Sequence, residues 1–225
     1  VTTVDIAGCY GDATGEIHVT MTSGEPTIFY SITGDGGYLN NGGDFTGLTA
    51  GDYNVWVRDD NGTGCKLEYS GNPVTINQPA ELVINSIDLT EPTCNGLDNG
   101  EIEINAVGGT NPLEYSNDGG STWQAGNTFS SVGAADYDLA VRDANLCRKD
   151  STITLDQPEE ITFRPIPDTL SCFGDNNGTI TVVDTLGGTA PYNYRINGGG
   201  WQTSNVFANL VYGDYIIELQ DASGC

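Results

Sequence analysis

The stretch Phe45-Thr46-Gly47-Leu48-Thr49-Ala50-Gly51-Asp52-Tyr53-Asn54-Val55-Trp56-Val57 carries the reading that decides the fold. Tyr53, Val55 and Val57 alternate with Asn54, Trp56 and Arg58. A period of two, polar on one side, belongs to a strand with one face on a core and the other in water. The tight turn before it, Leu48 to Tyr53, has the spacing of a tyrosine corner, in which a Tyr near the start of a strand bonds back to nearby backbone. The same signal returns as Phe129…Val132…Asp136-Tyr137 and as Phe207…Leu210…Gly213-Asp214-Tyr215, with one Phe-to-Tyr distance throughout. Ala135 replaces the glycine in the middle copy, which predicts a slightly altered turn there. Tyr53, Tyr137 and Tyr215 are therefore the expected corner residues.

Working outward, each copy also has an opening signal. It is Cys9-Tyr10-Gly11-Asp12 before Gly15-Glu16-Ile17, Cys94-Asn95-Gly96 before Gly100-Glu101-Ile102, and Cys172-Phe173-Gly174-Asp175 before Gly178-Thr179-Ile180. Self-similarity at a fixed period marks a repeat architecture. Two copies end in Val74-Thr75-Ile76-Asn77-Gln78-Pro79 and Ile153-Thr154-Leu155-Asp156-Gln157-Pro158. Proline cannot donate to a ladder, so these Gln-Pro pairs mark ends. The expected domains are residues 1–80, with a truncated start, 81–159, and 160–225, which lacks its final strand; the chain reads as a window on a longer array. Asp35-Gly36, Asn117-Asp118-Gly119-Gly120 and Asn197-Gly198 supply hairpin turns. The fold class expected is all-β: tandem immunoglobulin-like antiparallel β-sandwich repeats, with one disulfide inside each.

Composition agrees. The chain holds 31 Gly and 9 Pro, which is the turn chemistry of many short strands. Its 31 acidic against 7 basic side chains give a net charge of -24, a field that repels nucleic acid and anionic lipid. No apolar run is long enough to span a bilayer, so direct membrane insertion is not expected.

Six cysteines, Cys9, Cys65, Cys94, Cys147, Cys172 and Cys225, fall two to a segment at nearly equal spacing. This reads as Cys9 with Cys65, Cys94 with Cys147 and Cys172 with Cys225, in an oxidising compartment. Each such loop would stabilise its domain by about 4 kcal/mol in the chain-entropy model. Zinc finds no CxxC motif or histidine cluster.

Candidate chemistry is sparse. His18, the single histidine, falls on the outward face of a strand, aligned with Glu103 and Thr181, and reads as a solvated residue rather than a base. No Ser-His-Asp, metalloprotease or phosphate-loop pattern occurs, so the chain is not expected to be an enzyme or to carry a cofactor. Asp12, Asp98 and Asp175 follow the first cysteines, and Asp59, Asp143 and Asp221 follow the penultimate strands. Within-repeat disulfides would make these loops neighbours that could hold calcium, but Asx turns at strand ends are the preferred reading. Tyr38, Trp123 and Trp201 recur after each hairpin, as a sugar-binding platform or, preferably, as rings packed at a sheet edge.

Beyond these residues, Gly-Gly-Thr-x-Pro (Gly108 to Pro112, Gly187 to Pro191), Tyr115 to Gln124 with its Tyr-Ser-x-Asp-Gly-Gly…Trp-Gln pattern, and the Gly224-Cys225 close complete a likeness. The chain resembles, over nearly its whole length, the SprB-type repeats of cell-surface adhesins of gliding Bacteroidetes. Copy one departs most, with Ser23-Gly24-Glu25-Pro26 and with Tyr38 in place of tryptophan; copy two closes on Leu146-Cys147. The resemblance implies a very long extracellular protein, exported by the type IX secretion system, displayed as a cell-surface filament and serving adhesion or gliding. Asp150-Ser151-Thr152, Asp168-Thr169-Leu170 and Asp184-Thr185-Leu186 resemble the short O-glycosylation signal of that phylum, with Ser151, Thr169 and Thr185 as acceptors.

The function expected is thus a structural and adhesive segment of a surface filament, a semi-rigid rod of repeats joined by short proline links. Its partners would be neighbouring repeats, and surface polysaccharide or other filament subunits. The alternative is a carbohydrate-binding or passive stalk module of a secreted multidomain enzyme.

Overall fold

The computed structural model describes all residues except 24–26, 60–63, 169–170, 173 and 175. It is all-β. The first repeat holds β1 (Thr2–Val4), β2 (Gly15–His18), β3 (Ile28–Ser31), β4 (Asp44–Leu48), β5 (Gly51–Tyr53), β6 (Trp56–Asp59), β7 (Lys66–Glu68) and β8 (Val74–Ile76). The second holds β9 (Val83–Thr90), β10 (Gly100–Val107), β11 (Glu114–Ser116), β12 (Thr128–Val132), β13 (Ala135–Arg142) and β14 (Arg148–Leu155). The third holds β15 (Thr162–Asp168), β16 (Gly178–Leu186), β17 (Asn193–Ile196), β18 (Val206–Leu210) and β19 (Ile217–Gln220).

Every sheet draws its strands from one repeat. The sheet orders are β1-β2-β4, β3-β6-β7 and β5-β8 in the first repeat, β12-β10-β9 and β11-β13-β14 in the second, and β15-β16-β18 and β17-β19 in the third. The first repeat shows why the sheets stack. Ile17, Val19 and Phe45 from one sheet bury against Tyr30, Val55, Val57, Val74 and Ile76 from the other two. The outward residues Glu16 and His18 stay partly exposed, as period-two strands require. In the third repeat Val182, Tyr194 and Phe207 form the corresponding core. The chain divides into two compact units: Val1–Ser86, Asn105–Ala125 and Ala140–Ser151, and then Ile87–Ile104, Gly126–Leu139 and Thr152–Cys225. These do not follow the repeats, since the second repeat contributes to both.

Two local features were hidden from the sequence reading. Gly47, Ser131 and Asn209 occupy one position in the three copies, and all three have positive φ. Beside each, the pairing with β2, β10 or β16 shifts register, so a β-bulge is built into every copy. In the first repeat the closing strand is split into β7 and β8. There the Asn72 side chain accepts from the Val55 N–H at 2.8 Å and donates to the Val55 carbonyl at 3.0 Å, standing in for a strand neighbour. Val55 is buried and its carbonyl keeps the Tyr69 N–H, so Asn72→Ala is expected to cost about 1–3 kcal/mol by orphaning the Val55 N–H. Chemical denaturation of that variant checks this; an unchanged midpoint would mean that water replaces the amide.

Candidate functional site: the joint between repeats

The cysteines do not pair as their spacing suggests. Cys9 is bonded to Cys147 and Cys94 to Cys225, with Cα atoms 5.6 and 5.7 Å apart and sequence separations of 138 and 131. The expected pairs Cys9–Cys65, Cys94–Cys147 and Cys172–Cys225 are therefore corrected: the opening cysteine of one repeat joins the closing cysteine of the next. Cys65 and Cys172 belong to neither bond.

Strand direction explains this. In the third repeat β16 begins beside the end of β18, where Gly178 pairs with Leu210. It finishes at Gly187-Gly188-Thr189, and the Thr189 N–H donates to the Asp221 carboxylate just past the end of β19. So β16 and β19 finish at the same end of the sandwich. Cys225 follows β19 at that end, while Cys172 precedes the start of β16. A nine-residue strand is about 30 Å long, far beyond the ~7 Å a disulfide can bridge. Pairing inside the repeat is geometrically closed.

Motifs that are far apart in sequence meet at this joint. Within the first unit, the Gly11 N–H donates to the Gln78 side chain at 2.9 Å, so the Gln of Gln-Pro holds the opening loop of its own repeat. Asp12 accepts from the Cys9 N–H at 2.6 Å. One residue pair further on, the Gly109 N–H donates to the Ala80 carbonyl, and Leu82 is buried beside it. Asn145, in the closing turn of the second repeat, donates to the carbonyls of Ala7 and Gly8 at 2.6 and 3.1 Å. The second unit repeats the plan. Gly96 N–H donates to Gln157 at 2.7 Å, Asn95 to the Pro158 carbonyl, and Gly188 N–H to the Glu159 carbonyl. The first Gly of each Gly-Gly-Thr must be glycine. A Cβ on Gly108 would lie 1.8 Å from the Glu81 carbonyl oxygen, and one on Gly187 2.1 Å from that of Glu160, both at positive φ.

Of the aspartates weighed for calcium, Asp143 and Asp221 each accept several backbone N–H groups in the closing turns. Asp143 accepts from the N–H groups of Thr110, Asn145 and Cys147 at 2.8, 2.9 and 2.9 Å. Asp221 does the same with Thr189, Ser223 and Cys225 at 2.7, 2.9 and 2.9 Å. Both carboxylates are buried, and each locks a closing cysteine in place. Burial works to raise the Asp221 carboxyl, yet the backbone donors of Thr189, Cys225, Ser223 and Gly224 outweigh it and hold it below the ordinary carboxylate range. Asp59 accepts from Cys65 N–H in the same manner at 3.0 Å. The cross-repeat disulfides also change which loops are neighbours: Asp12 lies in the loop that is bonded to the Asp143 turn, not to the Asp59 turn. Asp98 is exposed beside Gly133, and Asp175 lies outside the described residues. Among the described residues, no group of three or more His, Cys, Asp or Glu side chains gathers as a metal site.

The three tyrosines make one recurring bond, from hydroxyl to the carbonyl four residues upstream. Tyr53 donates to Thr49 at 2.8 Å, Tyr137 to Gly133 at 2.9 Å and Tyr215 to Val211 at 2.8 Å. The rings after the hairpins also correspond, because Leu39, Gln124 and Gln202 bridge to Tyr30, Tyr115 and Tyr194. Each ring carries an arginine on one face: Arg58 lies 4.9 Å from the Tyr38 centroid, Arg142 4.2 Å from Trp123 and Arg195 4.4 Å from Trp201. Arg195 comes from β17 and not from the strand that supplies Arg58 and Arg142, yet reaches the same ring position. Burial, then the bond to Asp35, pushes the Tyr38 hydroxyl up to about 12. Of the acceptor candidates, Ser151 and Thr185 sit half-buried within strands, and the preceding Asp150 and Asp184 pair with Arg148 and Arg164. Thr169 lies outside the described residues.

His18 is on the outward face, held between Asp44 at 2.8 Å and Glu16 at 2.9 Å. The Asp44 bond first, and then Glu16, raise its pKa above the ordinary 6.5. A raised folded-state pKa stabilises below the unfolded value and is lost as pH rises through the folded one. His18→Gln should therefore lower the unfolding midpoint at about pH 5 and have no effect at about pH 9. An equal effect at both pH values would rule out the charge.

No curated protein matches the chain. The family model of the SprB repeat matches residues 86–122 and 168–200. Both segments run from the first strand of a repeat through the opening cysteine and Gly-Gly-Thr loop to the hairpin, the parts that build the joint. Parts of the second and third of its three copies are thus similar to the SprB repeat.

Proposed function

We propose that this chain is an extracellular, load-bearing segment of a cell-surface adhesin, in which each repeat is tied covalently to the next. The observation that carries this is the pairing of Cys9 with Cys147 and Cys94 with Cys225, which puts a disulfide at each joint between successive repeats. Such bonds persist in oxidising compartments, in keeping with a location outside the cell. The likeness to SprB repeats points to a repeat segment of a surface adhesin, and export by the type IX system with a role in attachment or gliding is the finer reading. Its partners are neighbouring repeats, with surface polysaccharide or other filament subunits beyond them. Neither catalysis nor a cofactor enters this reading. A net charge of -24 keeps neighbouring chains apart.

The test uses cells that display the parent protein. Antibody to this segment should label unpermeabilised cells, and in-frame deletion of the segment should weaken attachment under flow. Labelling only after permeabilisation, or unchanged attachment, would overturn the reading. A sugar-binding module is the second reading, favoured by Trp201 at 41% exposure. It requires that Trp201→Ala reduce retardation of the chain in polysaccharide-containing gels, although Arg195 already covers one ring face.

A further inference from the structure

The two disulfides interleave: Cys94 lies inside the loop closed by Cys9–Cys147, and Cys147 inside the loop closed by Cys94–Cys225. Taking each disulfide as a node, three stretches of backbone run from one node to the other. They are residues 10–93, residues 95–146 and residues 148–224. We infer that the chain bears tension and survives cleavage as three covalent strands in parallel, rather than as one.

The consequence follows from connectivity alone. Hydrolysis of a peptide bond in one stretch consumes one water and leaves two intact covalent routes between the nodes. Cuts in two different stretches still leave one. The inter-repeat linkers fall in different stretches, with exposed Glu81 in the first and exposed Glu159 in the third. Exposed connecting segments are where proteases nick folded chains. Disulfides confined to single repeats would make each linker the sole covalent connection, so one nick would part the array. Cross-repeat disulfides turn the same nick into a silent event. Pulling obeys the same topology. With both bonds intact, extension between Val1 and Cys225 stops when residues 95–146 are taut, at about 200 Å; reduction lets it reach about 750 Å, at ~3.4 Å per residue. The segment is thus protease-tolerant and strain-limited, and this would hold whatever surface it grips.

The experiment inserts a recognition sequence for one site-specific protease after Glu81 and another after Glu159 in the full chain. After both cuts, the protein is denatured without reductant and weighed. The expected result is one species with the mass of the uncut variant plus two waters, falling into three peptides only on reduction. Separation in denaturant before reduction would overturn the inference. Should the insertions disturb folding, the unmodified chain pulled by its ends gives an independent reading. A limit near about 200 Å that lengthens nearly fourfold with reductant supports the inference, and full extension before reduction contradicts it. Loss of the attachment result above would leave both outcomes unchanged, so the two readings fail separately.

Discussion

Replacing Cys9 and Cys147 together by serine is expected to destabilise the first unit by about 5 kcal/mol, the chain-entropy value for a cross-link of this span. The bond closes a sequence separation of 138, so it removes about 1 kcal/mol more freedom from the unfolded chain than a bond within one repeat would. The loss rivals the whole margin of a small domain. Serine keeps the Cys147 N–H on Asp143, so the closing turn is retained and the effect isolates the cross-link. Each single replacement should cost about as much as the pair, because either one breaks the same bond. A double-mutant cycle in urea measures this, and additive losses would place the two cysteines in different bonds.

The second large effect is expected at Asp221. Asp221→Ala removes the acceptor for three backbone N–H groups around a carboxylate that is 3% exposed, and should cost about 3–5 kcal/mol. Asp221→Asn keeps one acceptor oxygen and should lose roughly half of that. The direction of its pKa gives a further check. Because the folded value is depressed, the stabilisation is present above the ordinary 3.8 and fades as pH falls through the folded value. Wild type and Asp221→Ala should therefore converge in denaturant midpoint under strong acid while differing fully near neutrality. The turn also positions Cys225, so the alanine variant should refold with less of the Cys94–Cys225 bond. A midpoint equal to that of wild type would mean that water serves the three donors as well as the carboxylate does.

Much of the molecule could be read directly from residues. The Phe-to-Tyr element placed β4, β12 and β18 and the tyrosines that follow them, and two-residue alternation placed Ile17, Ile102 and Ile180 inward. The joint could not be read in this way, for a physical reason. One cysteine of each kind recurs per repeat, so pairing within a repeat and pairing shifted by one repeat have the same periodicity. Only strand direction separates them: β16 and β19 finish together, which sends Cys172 and Cys225 to opposite ends. Gln78 and Gln157 were legible as breaks because proline follows them, but not as clamps, because their partners Gly11 and Gly96 lie more than sixty residues away. Asn72 was likewise illegible as the residue that pairs with Val55 between β7 and β8. Arg195 shows the limit of alignment, since it reaches Trp201 from a strand position that its counterparts do not use.

Peptide mapping of the unreduced protein by mass spectrometry tests the central claim most directly. Proteolysis with thiols blocked should yield disulfide-linked peptides joining Cys9 to Cys147 and Cys94 to Cys225. Linked peptides joining Cys9 to Cys65 and Cys94 to Cys147 would contradict the covalent joint.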